Sequence, residues 1–163
     1  METLFDDNLV SGAIFSDDRK YRFVLWRIWE EYCTKIMFIG LNPSIADGNI
    51  NDPTIRRLIS FAKAEGFGGM YMLNLFTFIS TDPYGLLTAK EPDYLANNYL
   101  HEYMFKTDQI VFAWGNSKAV GERAMEVINM FPYSYCFGKN KDGSPKHPLY
   151  LPKSSKLIPF GNK

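Results

Sequence analysis

Apolar residues in this chain fall into short runs separated by turn-forming residues, and the period within the runs switches between that of a strand and that of a helix. The segments 10–15 (VSGAIF) and 21–29 (YRFVLWRIW) flank the turn-like stretch 16–20 (SDDRK), a pattern that predicts an N-terminal β-hairpin. Residues 35–40 (KIMFIG) form a continuous apolar run ending at glycine, the signature of a strand buried on both faces. After the loop 41–52, Asp52 precedes Pro53, and Ile55, Leu58, Ile59 and Ala62 recur at helical spacing. This reads as an N-cap, a proline at the first helical position and one apolar stripe, with Gly66 as the stop. Further strands are expected at 70–76, 109–114 and 133–137, helices at 92–106 and 118–130, and a Thr-Asp-Pro turn at 81–83. Alternating strands and helices of these lengths predict a single α/β domain over residues 1–163, a three-layer sandwich with a largely parallel central sheet.

In such sheets ligands sit at the carboxyl ends of the strands, so those ends carry the candidate chemistry. The first exit is Gly40-Leu41-Asn42-Pro43-Ser44, the second carries Asn74, and the third is Trp114-Gly115-Asn116-Ser117. The fourth leads to Gly143-Ser144-Pro145-Lys146-His147-Pro148. An amide within an apolar strand must find partners, and Asn74 offers an acceptor beside donors, suited either to a base edge or to a neighbouring loop backbone. Asn42, held by the rigid Pro43, would orient a water or a substrate, or simply make an Asx turn. Ser44 would donate to a phosphate or cap the next turn. His147, among lysines 139, 141 and 146, is expected to favour its neutral form and to donate to an oxygen that gains charge, unless it is a plain surface residue. Gly115 permits close approach of backbone, while Trp114 is either a ligand shelf or core. Arg56 and Arg57 face away from the apolar stripe, as phosphate clamps or solvated side chains. Arg22, Trp26, Arg27 and Trp29 would stack a base, or belong to an amphipathic strand covering the sheet edge.

Composition narrows the classes. The chain has 163 residues, 46% apolar and 16% aromatic, ample for one core, which excludes a disordered chain. Two distant cysteines, Cys33 and Cys136, exclude a disulfide scaffold, a redox pair and a four-cysteine cluster, and no metal-ligand or cofactor motif is present. No run approaches a membrane span and no basic-then-apolar leader opens the chain, so a cytoplasmic protein without a membrane partner is expected. Net charge is zero, but residues 139–163 hold six lysines and one acid, so any phosphate should meet the C-terminal end.

Nearly the full chain resembles the domain of unknown function 1643 family of phages and bacteria. The residues that carry the resemblance are 21–29, the GLNPSIAD and NDPTIRR segments, Asn74-Leu75-Phe76, Ala113-Trp114-Gly115 and KDGSPKHPLYL near the C-terminus. A more distant resemblance is to the uracil-DNA glycosylase superfamily, through short motifs in the same order. Gly40-Leu41-Asn42-Pro43 resembles its Gly-x-Asn-Pro segment, whose asparagine positions the attacking water, and Leu73-Asn74 resembles the strand with the base-reading asparagine. Residues 112–119 are similar to its Trp-Gly strand and helix start, and His147-Pro148-Leu149 to a shortened His-Pro-Ser-Pro-Leu loop whose histidine stabilises the departing base. The Ser-Pro after His-Pro is missing, and Asn42 stands where the most active branch has aspartate, which implies slower chemistry or none. The resemblance thus implies a glycosylase-like fold, with Asn42 and His147 catalytic and Gly40, Pro43, Ser44, Asn74, Trp114, Gly115, Asn116, Ser117 and Lys146 at the substrate. The expected partner is a nucleotide or a single-stranded or duplex nucleic acid, with no cofactor and no metal. The expected activity is hydrolysis of an N-glycosidic bond, and the rival expectation is a phage binding protein that sequesters a nucleotide or counters a host defence without chemistry.

Overall fold

A computed structural model describes residues 10–81 and 93–161. Its strands are β1 (Val10–Phe15), β2 (Arg22–Ile28), β3 (Lys35–Gly40), β4 (Gly69–Asn74), β5 (Gln109–Phe112), β6 (Tyr135–Cys136) and β7 (Ile158–Pro159), and its helices are α1 (Pro53–Ala64), α2 (Asp93–Met104) and α3 (Gly121–Met130). All seven strands join one sheet in the order β1-β2-β4-β3-β5-β6-β7. The central four, β4, β3, β5 and β6, are parallel, and the strands flanking them run antiparallel.

Burial follows the two-residue period of the strands. Ile36 and Phe38 of β3, with Met70, Met72 and Val111, face Ile55, Leu58 and Ala62 of α1. Met37 and Ile39, with Leu73 and Phe112, face Leu100 and Tyr103 of α2 and Ala124 and Val127 of α3. Helices therefore cover both faces, and β3 at the centre is buried at every position. The start of α1 is fixed by Asp52, whose Oδ1 accepts from Ile55 N at 2.8 Å, and by Pro53 behind it. Its end is fixed by Gly66, at φ +88°.

Several boundaries differ from those the pattern predicts. β2 does not cover the sheet edge, because β1 pairs antiparallel outside it, from Val10↔Ile28 to Ile14↔Val24. The run 118–130 is not one helix: Lys118–Val120 make a 3-10 turn, and Gly121, at φ +45°, redirects the chain before α3. The strand expected at 133–137 shrinks to two paired residues, since Tyr133 stands 91% exposed, and β7 pairs with it from near the C-terminus. Residues 82 and 83 of the expected turn at 81–83, and Pro92 at the start of the expected helix, lie outside the described residues. Cys33 is exposed just before β3, whereas Cys136 is buried in β6. Among the described residues no helix is long and apolar enough to cross a membrane.

Candidate functional site

Parallel strands bring their carboxyl ends to one rim of the sheet. Gly40 and Asn74 end β3 and β4 as register partners, and Ala113 and Trp114 follow β5 directly. β2 runs the other way beside β4, so its first residue, Arg22, is the one that reaches this rim. A cavity of about 240 Å³ opens there. Its wall brings together Gly40, Asn42, Ser44, Asn74, Trp114 and His147, all candidates from the sequence, with Arg22, Asp52, Thr54, Ser80 and Thr81. Gly40 packs closely against two side chains: a Cβ there would lie 2.6 Å from Met72 Cε and 3.0 Å from the Asn74 amide.

Asn42 is oriented by three carbonyls. Its Nδ2 donates to Pro43 O at 3.0 Å, Phe78 O at 3.5 Å and Ser80 O at 2.7 Å. That ring of acceptors fixes which end of the amide is nitrogen and leaves Oδ1 with no donor among the described residues. Asn74 is 3% exposed, and its amide is committed inside the protein. It is best satisfied with Nδ2 donating to Leu73 O at 3.2 Å and Oδ1 accepting from Asn42 N at 3.3 Å. Turned over, its oxygen meets only Arg22 Nη2, at 3.4 Å.

His147 caps the 3-10 turn Pro148–Tyr150, with Nδ1 accepting from Leu149 N at 3.2 Å. The lone pair on Nδ1 is thereby used, and the neutral ring carries its proton on Nε2. Burial pushes the His147 pKa down and the charge of Asp52 pulls it partly back, so the imidazole is neutral at physiological pH. Gly115, at φ +79°, lets the chain turn close to this ring: a Cβ there would lie 3.4 Å from His147 Cβ.

The remaining candidates are not in the cavity wall. Pro43 is buried beside it, its carbonyl accepting from Ser80 N at 3.0 Å, and Asn116 is exposed. Ser117 accepts from Ala119 N at 3.1 Å as the cap of a 3-10 turn. Lys146 is half-buried, with its amide bonded to Gly138 O at 2.9 Å. The arginines on α1 both hold backbone carbonyls, and neither lines the cavity. Arg56 donates to Asn51 O at 2.9 Å, and Arg57 donates to Leu151 O at 2.6 Å and Pro152 O at 2.5 Å, holding the loop that follows His147. Nor does the arginine of mid-β2 stack a base: Arg27 donates to Asn51 Oδ1 at 2.9 Å and Asp47 O at 2.6 Å, pinning the loop before α1.

Arg22 and Asp52 are the two charged groups that strand ends alone did not point to. Arg22 is 2% exposed, and its Nη1 donates to Ala46 O at 3.0 Å. Burial lowers its pKa to about 10, Asp52 raising and Arg27 lowering it, which leaves a cation at neutral pH. Asp52 is buried, with Oδ1 spent on the helix cap and Oδ2 without a partner among the described residues. No group of three or more metal-ligating side chains stands among the described residues.

Over residues 22–149 the sequence matches the family described as Protein of unknown function (DUF1643). The chain belongs to that family. The DUF1643 span begins at Arg22 and ends one residue past Pro148, so it takes in every residue of the cavity wall. It leaves out β1 and β7, the two edge strands. No curated protein and no solved structure matches the chain.

Proposed function

We propose that the cavity takes a nucleobase and that the protein hydrolyses the N-glycosidic bond holding that base in a nucleotide or nucleic acid, on a uracil-DNA glycosylase-like scaffold. The observation that carries this reading is the meeting of Asn42 and His147, about a hundred positions apart in the chain, in one cavity at the strand ends. In the reaction the C1′–N bond breaks with its electron pair leaving on the base, and water oxygen takes its place on the sugar. The water gives up a proton to solvent, and the base nitrogen gains one. Positive charge grows on the sugar and negative charge on the base, so the site needs a donor beside the base and a held water below the sugar. The Nε2 proton of His147 meets the first need, and the free Oδ1 of Asn42 accepts from the water.

A second reading, a phage-type binding protein that retains its nucleotide unchanged, is favoured by the lack of an uncommitted base at Asn42. An amide orients water but takes no proton. Incubation with uracil-containing single- and double-stranded DNA and with a panel of nucleotides, followed by chromatography for free base, separates the two. Under the hydrolase reading, base is released, and Asn42→Ala and His147→Ala each slow release by about 100-fold. Unchanged ligand retained equally by all three proteins supports the binder, and neither release nor retention removes both.

A further inference from the structure

The charge on Arg22 is incompletely satisfied by the protein. A guanidinium has five N–H donors. With Asn74 in its best-satisfied orientation, Arg22 keeps one acceptor, Ala46 O, and its Nε has no partner in either orientation. Among the described residues no carboxylate forms an ion pair with it. Burying a cation in this state is unfavourable unless further acceptors arrive. Arg22 lines the cavity, so a molecule seated there can bring an acceptor to the guanidinium.

Asp52 decides what sort of ligand. It lines the same cavity with an open Oδ2, and its charge is felt by both Arg22 and His147. A phosphate drawn to Arg22 would meet the Asp52 carboxylate, and a cation drawn to Asp52 would meet the guanidinium. The two charges sum to zero and suit a neutral, flat group with an acceptor beside a donor. A ring carbonyl next to a ring N–H is that group. Adenine and cytosine present the reverse pattern, an amino donor beside a bare ring nitrogen, which sets donor against guanidinium and lone pair against carboxylate.

Resting on the nucleobase reading above, we propose that Arg22 and Asp52 are the pair that reads the base, Arg22 donating to an exocyclic oxygen and Asp52 Oδ2 accepting the adjacent ring N–H. The protein thereby selects oxo-bases over amino-bases. Asn74, whose amide is spent on Leu73 O and Asn42 N, braces the wall instead of reading the edge.

Isothermal titration of the full chain with 1-methyluracil, 9-methylhypoxanthine, 9-methyladenine, 1-methylcytosine and 1,3-dimethyluracil, whose glycosidic nitrogen is blocked as it is in a nucleotide, tests the pair. The oxo-bases should bind at least about tenfold more tightly than the amino-bases, and methylation of the uracil N3 should remove that advantage. Asp52→Asn retains an oxygen for Ile55 N, so it should keep the cap of α1 while losing or reversing the preference. Failure of every base to bind would overturn the nucleobase reading and the pair with it. Binding without an oxo preference, an unimpaired 1,3-dimethyluracil, or an unchanged preference in Asp52→Asn would overturn the pair and leave the nucleobase reading standing.

Discussion

Two features hold the His147 imidazole neutral: burial, and the use of Nδ1 as an acceptor for Leu149 N. Its folded pKa lies below the ordinary value of 6.5, so between those two values the unfolded chain binds the proton that the folded chain refuses. Stability is unaffected above that window, falls as pH drops through it and levels off below the folded pKa. Thermal melts from about pH 8 to about pH 5 should therefore show a declining Tm. His147→Asn, whose side-chain oxygen can still cap Leu149 N, should flatten that decline while melting close to wild type at pH 8; an unaltered slope would assign the decline to other groups. This residue stood out in the sequence as a polar side chain in a loop between prolines, although its duty as the cap of the 3-10 turn did not. In the sequence Arg22 stands only as a base-stacking candidate on an amphipathic strand, and its buried place in the cavity wall was not legible, because an arginine inside an apolar strand looks like the wet face of an amphipathic one.

At the scale of elements, the central strands and α1 were legible because each carries its own signal: continuous apolar runs, a capping aspartate, a proline and a glycine stop. The sequence pattern draws β6 too long, at 133–137, and β7 not at all, since two paired residues make no period and each owes its existence to its neighbour. The direction of β2 mattered most for the site. Only a strand running antiparallel to β4 delivers its first residue to the rim where β4 ends, and inspection of carboxyl ends alone passes over it. A comparable tie binds α2, α3 and the strand exit. Buried Arg123 donates to Leu75 O at 2.7 Å, Asn97 Oδ1 at 2.6 Å and Glu126 Oε1 at 2.6 Å. Arg123→Met should destabilise the fold by about 1–3 kcal/mol in urea titration, because it leaves a buried carbonyl without its donor. A loss below about 0.5 kcal/mol would show the tie to be dispensable.

Over the whole molecule, charge is balanced, yet lysines 139, 141, 153 and 156 stand exposed after β6. Among the described residues the cavity wall holds one cation and one anion, so free-base affinity should change less than about twofold between roughly 50 and 200 mM salt. A polynucleotide substrate held by those lysines should weaken steeply over the same range. Titrations of base and oligonucleotide side by side would separate pocket from backbone contacts, and an equally steep dependence for the free base would refute a charge-balanced pocket. The cysteines, finally, lie in a useful arrangement. Cys33 precedes the amino end of β3, on the order of 20 Å along the strand from its glycine end. Cys136 is shielded, and burial pushes its thiol pKa up. A maleimide dye offered to the native protein should consequently attach at a single position, far enough from the ligand slot to serve as an optical reporter without obstructing it.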